Sequence, residues 1–502
     1  MEKDMFKLSD DGKTLLTIVD NSVIHIVIPS SVTKIGWGAF RGNSNLKSIE
    51  IPSSVTRIEG CAFSRCTSLE NIVIPSSVTE IGNQLFSRCT SLVSIDISKT
   101  VTEIGDRAFR GCTSLKSIEI PNSIRKIDHS AFEGCTSLES VDIPNSVTEI
   151  GDSAFEGCTS LENVDIPNSV ERIGGSAFRG CTTLKNIDIP NSLTRIGNSA
   201  FSGCTSLDCI DIPRSVTEIG DGAFSRCTSL KKAGIPNSVT EIGGSAFRGC
   251  TSLGSIDIPN SVTKIGDSAF EGCTSIENFN IPSSVMEIGG YAFHNTKWYH
   301  NQPEGIIYIN SLLYILKGMV HNSPMVIREG TIAICGNAFR GCTSLESIDI
   351  PSSVTRIGNS AFSGCIFLSN IDIPNSVTEI GDGAFSRCTS LKKAGIPNSV
   401  TEIGNSAFEG CTSLENVDIP NSVERIGGSA FRGCTSLKSI DFPSSVTEIG
   451  DSAFEGCTSL ENVDIPNSVI KFSSYTFYNT KWYDNLPRGP IVINNKIYMI
   501  KE

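Results

Sequence analysis

The chain has 502 residues, with 54 Asp and Glu against 41 Lys and Arg, a net charge of −13 and a pI near 5.0. That acidity argues against a nucleic-acid partner, because binding to phosphates needs a basic stripe. No run of 18 or more apolar residues occurs, so no membrane-spanning helix is expected.

The first residues, Met1 to Phe6, lack the apolar core of a secretory signal. This reads either as an intracellular protein or as a chain whose signal lies upstream. Residues 5–18 hold two apolar runs around Asp11-Gly12, a hairpin signal. Residues 1–27 are therefore expected to form a hairpin cap over the open edge of the repeats that start at Ile28.

From Ile28 onward one pattern recurs every 23 residues, shown in full by Ile143 to Asp165. Self-similarity at such a period means a solenoid whose units pack only on their neighbours. Val164 and Ile166 alternate with Asn163 and Asp165, the periodicity of a strand with one buried face. Pro167 ends that strand, since it has no N–H for a ladder. Val147 to Phe155, interrupted by Gly151, reads as a thin return path, either extended or with one helical or 3₁₀ turn. The expected fold is a mainly β solenoid with one parallel strand per repeat.

Phe155 recurs from Phe40 to Phe477, and 19 of the 24 phenylalanines lie on this one lattice. The reading is a core spine rather than an aromatic binding box. Of the 19 cysteines, 16 sit on the lattice, leaving Cys61, Cys209 and Cys335 off it. Side chains stacked in parallel disfavour disulfides, and no C-x₂-C pair occurs, so these are expected to be free thiols in small buried sites. Such a ladder suits a reducing compartment.

Twelve units fill an array at 28–303, and an in-phase hairpin insert comes next at 304–326. Seven more units occupy 327–487, and a second hairpin closes the chain at 488–502. Trp298 and Trp482 are eight periods apart, so the break stays in phase. One continuous solenoid with an embedded hairpin is preferred to two hinged ones. Residues 221–243 match 382–404 identically, and 154–182 match 407–435, which suggests expansion by duplication.

The pattern I-P-x-S-V-T-x-I-G-x-x-A-F-x-x-C-x-x-L, seen from Ile143 to Leu161, resembles the BspA-like (Treponema pallidum-type) class of leucine-rich repeat proteins. The resemblance covers nearly the whole chain. It implies a leucine-rich repeat solenoid and a binding or adhesive role. It also implies a host or extracellular-matrix protein as partner, and a bacterial cell-surface or secreted setting. It does not imply an enzyme or a cofactor.

On the strand face, one outward column reads Glu50, Asp96, Glu119, Asp142, Asp165, Asp188, Asp211, Asp257, Asp349, Asp372, Asp418, Asp441 and Asp464. Val73, Gly234, Asn280 and Gly395 interrupt it, and a Ser/Asn column (Ser140, Asn163, Asn186) runs beside it. Carboxylates one strand apart repel by roughly 0.8 kcal/mol even at the dielectric of water. The column is either a solubilising face or a docking stripe for basic partners or divalent cations. Lys231-Lys232 and Lys392-Lys393 are local basic interruptions. Trp298, Tyr299, Tyr308 and Tyr314 form an aromatic concentration, read as hairpin packing before binding. His294 and His300 are close, but a third ligand is missing, so no metal site is assigned. Five histidines and these repeats assemble no catalytic triad, phosphate loop or zinc spacing. The chain is expected to be a monomeric, non-enzymatic protein-binding module, with an intracellular scaffold or effector-like protein as the alternative.

Overall fold

Each 23-residue repeat makes one coil, and the coil is built from what its backbone N–H groups can reach. The computed structural model describes residues 5–319, 324–473, 475–493 and 496–501. In a typical coil the strand Asn163–Asp165 is exposed, buried, exposed along its length. Val164 faces inward with Leu161 and Ile166. This outer strand pairs in parallel with its neighbours at a register of 23, Ser140 beside Asn163 and Asn163 beside Asn186. After Pro144 the chain turns, Val147 N–H donating to the Pro144 carbonyl at 3.0 Å.

The return path takes the extended form. Glu149–Ile150 is a two-residue strand, and Ile150 pairs with Ile127 and Ile173 in the coils on either side. Within the first array this return ladder runs unbroken from Glu80–Ile81 to Lys264–Ile265. Gly151 comes next because the coils close in: a Cβ there would sit 2.9 Å from the backbone of Ile127, Asp128 and His129.

Ser153 at φ +57° and Gly157 at φ +72° then prevent a right-handed helix. They turn alternate N–H groups toward the next coil. Ser153 donates to Gly175, Phe155 to Ala177 and Gly157 to Arg179, at 2.7–2.8 Å. The N–H groups between them close tight local turns, Ala154 to Gly151 and Glu156 to Ser153. Every donor of the stretch is thus satisfied without helix or long strand.

Stacking puts identical side chains on top of one another. The rings of Phe109 and Phe132 lie 5.4 Å apart and 1° from parallel. The column runs from Phe40 to Phe293 in the first array and from Phe339 to Phe477 in the second, buried throughout. Beside it the cysteine Sγ–H groups donate to phenylalanine carbonyls, Cys158 to Phe132 and Cys181 to Phe155, each at 3.2 Å. All 19 cysteines are free thiols. Burial pushes the thiols of Cys66, Cys135 and Cys204 up to about 12. Each of these is a hydrogen-bond donor held protonated, and a poor nucleophile.

The polar letters of the repeat also work between coils. Ser169 Oγ donates to the Val147 carbonyl at 2.7 Å, and Thr159 Oγ1 to Thr136 at 3.3 Å. Asp152 Oδ1 accepts the Gly175 N–H at 2.8 Å, and Asn198 does the same for Asp221 at 3.1 Å.

The chain divides into two compact units, Met1–Val285 with Ala292–Asn301, and Met286–Tyr291 with Gln302–Glu502. A hairpin heads the array of each. In the first, Phe6–Leu8 pairs antiparallel with Thr14–Ile18, whose Leu15 meets Ile35 of the first coil. In the second, Gly305–Ile309 pairs with Leu312–Lys317, and Leu313 meets Ile334. Asn310-Ser311 makes the turn between these two strands, with Asn310 at φ +54°. Leu316 stands on the phenylalanine lattice and makes its bond, N–H to the Ala338 carbonyl at 2.8 Å.

Gly489–Ile493 and Lys496–Lys501 form a third hairpin in the same register. Asn494 and Asn495, between its strands, lie outside the described residues. Short helices, Lys297–Asn301 and Lys481–Asn485, come after the two arrays, with Thr296 and Thr480 accepting the first free N–H groups. Among the described residues no helix is long and apolar enough to cross a membrane.

This packing has two measurable outcomes. Phe155→Ala removes one member of a close-packed column and should cost roughly 3–5 kcal/mol in chemical denaturation. The second concerns pH. A thiol whose folded pKa is raised contributes stability that is full below its unfolded value, near 8.5, and lost as pH rises toward 12. Urea melts should therefore show stability level to about pH 8 and falling steeply above 9. A Cys158→Ala/Cys181→Ala chain should fall less steeply.

Candidate functional site

The acidic column arises from two local facts. Outer strands expose alternate residues, and the register of 23 carries each exposed position into the next coil. Glu119 therefore pairs beside Asp142, and Asp142 beside Asp165. Asp441 and Asp464 meet in the same way in the second unit. All thirteen carboxylates of the column are exposed.

The most heavily charged of the other columns mix signs, although Asp106, Asp152, Asp221, Asp267, Asp382 and Asp451 share a shorter acidic one, interrupted by Gly, Asn and His. On the return ladder Glu149 lies between Lys126 and Arg172 and pairs with both. Arg195 pairs with Glu218 at 2.9 Å, and Lys264 with Glu241 at 3.0 Å. In the second unit Arg356 bridges Glu287 at 2.8 Å and Glu379 at 3.0 Å. Beside the phenylalanine column, Arg110 reaches Glu133 at 2.8 Å. Among the described residues, none of the thirteen outer-ladder carboxylates is in an ion pair. Set them aside, and the remaining 41 acidic residues balance the 41 basic ones. The whole net charge of the protein stands on one column.

The surface there is shallow. Ser117, Glu119, Asn122, Ser140, Asp142 and Pro144 line one open depression on it. Neighbouring Ser and Asn side chains contact one another across coils, as Ser94 Oγ does with Asn71 Oδ1 at 2.8 Å. Among the described residues no group of three or more His, Cys, Asp or Glu is placed to hold a metal ion. Carboxylates in single file present too few ligands at one point for a cage of six to eight oxygens.

The first basic interruption is only partly basic. Lys231 is tied to Asp208 at 2.7 Å. Lys232 pairs beside Cys209, the one exposed cysteine, and Gly234 beside Asp211.

The four aromatic candidates, expected as hairpin packing before binding, take different surroundings. Tyr314 and Tyr299 are buried, and Tyr299 packs against His294 with ring centres 4.8 Å apart. Trp298 sets its edge against Phe293 and closes the ring column of the first unit. Tyr308 lies under the Arg328 guanidinium at 4.3 Å. Burial pushes the His294 pKa down.

One feature is not apparent from the sequence reading. Taken one coil back from Glu50, the acidic column begins at Val27, and one coil back from Asp349 it begins at Val326, both exposed. The signal is present in the 23-residue spacing, but a column defined by its carboxylates starts one coil too late to include it.

Against known proteins, the family described as BspA type leucine rich repeat region (6 copies) matches residues 19–135, 102–231, 171–300, 321–427 and 401–497. Among curated proteins none matches. Among solved structures the chain is similar to a leucine-rich repeat protein from Bacteroides ovatus, at 27% identity over 95% of this chain and 97% of that one, with a TM-score of 0.33. It is also similar to a leucine rich cell surface protein from Faecalibacterium prausnitzii, at 26% identity over 95% of each chain, with a TM-score of 0.30. A T. pallidum leucine rich repeat protein is 25% identical over 50% of this chain and 89% of that one, with a TM-score of 0.24.

Like charges in file oppose folding, and salt screens them. Asp142→Asn/Asp165→Asn/Asp188→Asn should therefore raise Tm at about 10 mM salt and leave it unchanged near 0.5 M. Replacing Glu149, Glu218 and Glu241 by Gln, which breaks mixed pairs, should not raise it.

Proposed function

The chain belongs to the BspA-type leucine-rich repeat family, and on that premise we propose that it is a non-enzymatic binding protein whose outer-ladder face recognises a basic protein partner. Proteins of this fold generally serve protein interaction. One observation supports the choice of face. Stacking spreads any outward residue into a column, and the other heavily charged columns mix acids with bases. Only here does it set thirteen carboxylates in line without a counter-charge. A merely solubilising surface has no need to put its whole net charge on one side, whereas a steering field for a basic partner does.

Adhesion to a host or extracellular-matrix protein is the form this reading takes if the protein acts at a cell surface. The free, buried thiols support the rival setting of a scaffold in a reducing compartment. The face and the charge of the partner are the same in both.

The test uses the intact chain and a variant with Asp96, Asp142, Asp165, Asp188 and Asp211 changed to Asn and Glu119 to Gln. Both are immobilised and presented with a panel of purified matrix proteins and with cell lysate, at low and at moderate salt. The expected result is a set of basic proteins held by the intact chain, released by salt and not held by the variant. Retention of the same proteins by both chains removes the outer ladder as the binding face.

A further inference from the structure

The outer ladder of the first unit does not open as it continues. Over its first four coils, two outward positions, one at the strand end and one just before the strand, carry Ile24, Val27, Val73 and Val93, which are 47%, 64%, 62% and 42% exposed, interleaved with Lys47, Glu50, Glu70 and Asp96. Strand register fixes their place, with Val27 beside Glu50 and Val73 beside Asp96. From Asp96 to Asp211 six consecutive coils are then acidic at the strand-end position. The face thus has a head with four exposed apolar side chains, and its strand-end column continues as a single-sign run. The second unit opens on the same plan, with Val326 exposed beside Asp349.

We propose that this face docks a basic amphipathic helix, apolar side chains at one end seated on the valine head and one Lys or Arg per turn along the carboxylates. This rests on the reading that the outer ladder binds a basic partner, and it names the partner's shape. Spacing decides the shape. Carboxylates in neighbouring parallel strands repeat every ~4.8 Å. A helix returns the same face every 5.4 Å, whereas an extended strand returns it every two residues, about 6.7 Å. Over the five steps from Asp96 to Asp211 the helix drifts by roughly 3 Å and the strand by roughly 9.5 Å, about two whole coils. The flexible arms of Lys and Arg absorb the first error and not the second.

The charge pattern and the apolar head have separate tasks. Exposed ion pairs contribute little each and are screened by salt, so they draw the helix in and align it. The head supplies contact that salt does not weaken and fixes which end lies where.

Fluorescence anisotropy with the full chain tests this. The probe is a labelled 20-residue Ala-rich helical peptide with one Lys per turn on one face and Leu-Leu at one end. The intact chain should bind it. Glu119→Gln/Asp142→Asn/Asp165→Asn should weaken binding at least tenfold at low salt, with little difference left near 0.3 M. Val27→Ser/Val73→Ser should weaken it at least tenfold at both, as should omission of Leu-Leu from the peptide. A peptide of the same composition broken by a central Pro-Gly should lose binding to the intact chain. All substituted positions are exposed, and unchanged thermal melts would show that the variants fold.

Equal binding by the Val27→Ser/Val73→Ser chain, equal binding of the broken peptide, or no binding by the intact chain overturns the helix proposal and leaves the acidic face standing. Equal binding by the carboxylate-neutralised chain at low salt overturns both.

Discussion

The bond on which the rest depends is the one from the Phe155 N–H to the Ala177 carbonyl, made again in coil after coil. A 23-residue unit has too little apolar surface to fold alone. What makes it stable is that its unused donors and acceptors point along the stack, where the next copy supplies their complement. Ser153 and Gly157 in the left-handed region do this turning. Glycine adopts that conformation freely and serine at a cost, so the coil accepts local strain to gain an inter-coil bond at every second residue. The phenylalanine rings, thiols and seryl hydroxyls then fall into register as a consequence of the backbone.

The same constraint governs the surface. A residue on a globular protein has a different neighbour on every side, but here an outward residue has its own equivalents above and below. Any charge is therefore a candidate for self-repulsion, and on the return ladder the chain meets this by mixing signs, as Lys126, Glu149 and Arg172 show. Against that background the outer-ladder carboxylates are an exception that stacking makes costly, which is why they carry the functional argument and the mixed columns do not.

Much of this is legible in residue type and spacing alone. The phenylalanine lattice, the Pro167 strand end, the Asp11-Gly12 and Asn310-Ser311 turns and the unpaired cysteines all carry their physical reason there. The return ladder is less visible, since Glu149-Ile150 is too short to show alternation. The left-handed serines are hidden for a different reason. Ser153 gives no sign of positive φ, and only the coils with Gly38, Gly222 and Gly383 at that place betray it. Tyr299 and Tyr314 resemble a site in the sequence because composition does not tell which side of a strand or short helix a ring takes. The valine head is easily missed because its residues carry no charge to mark them as part of the Glu50 column.

One property of the coil bears on how such a chain changes over generations. Its contacts join residues 22, 23 or 26 positions apart, as from Phe155 to Ala177, Asn163 to Asn186 and Cys158 to Phe132. Replication slippage that removes or adds one whole coil leaves every such pairing intact, because the coil beyond offers the same atoms. A single-residue insertion, by contrast, breaks them all locally. Length is therefore the trait this architecture can vary most freely, in whole steps, with the extent of its outer ladder growing or shrinking at each one.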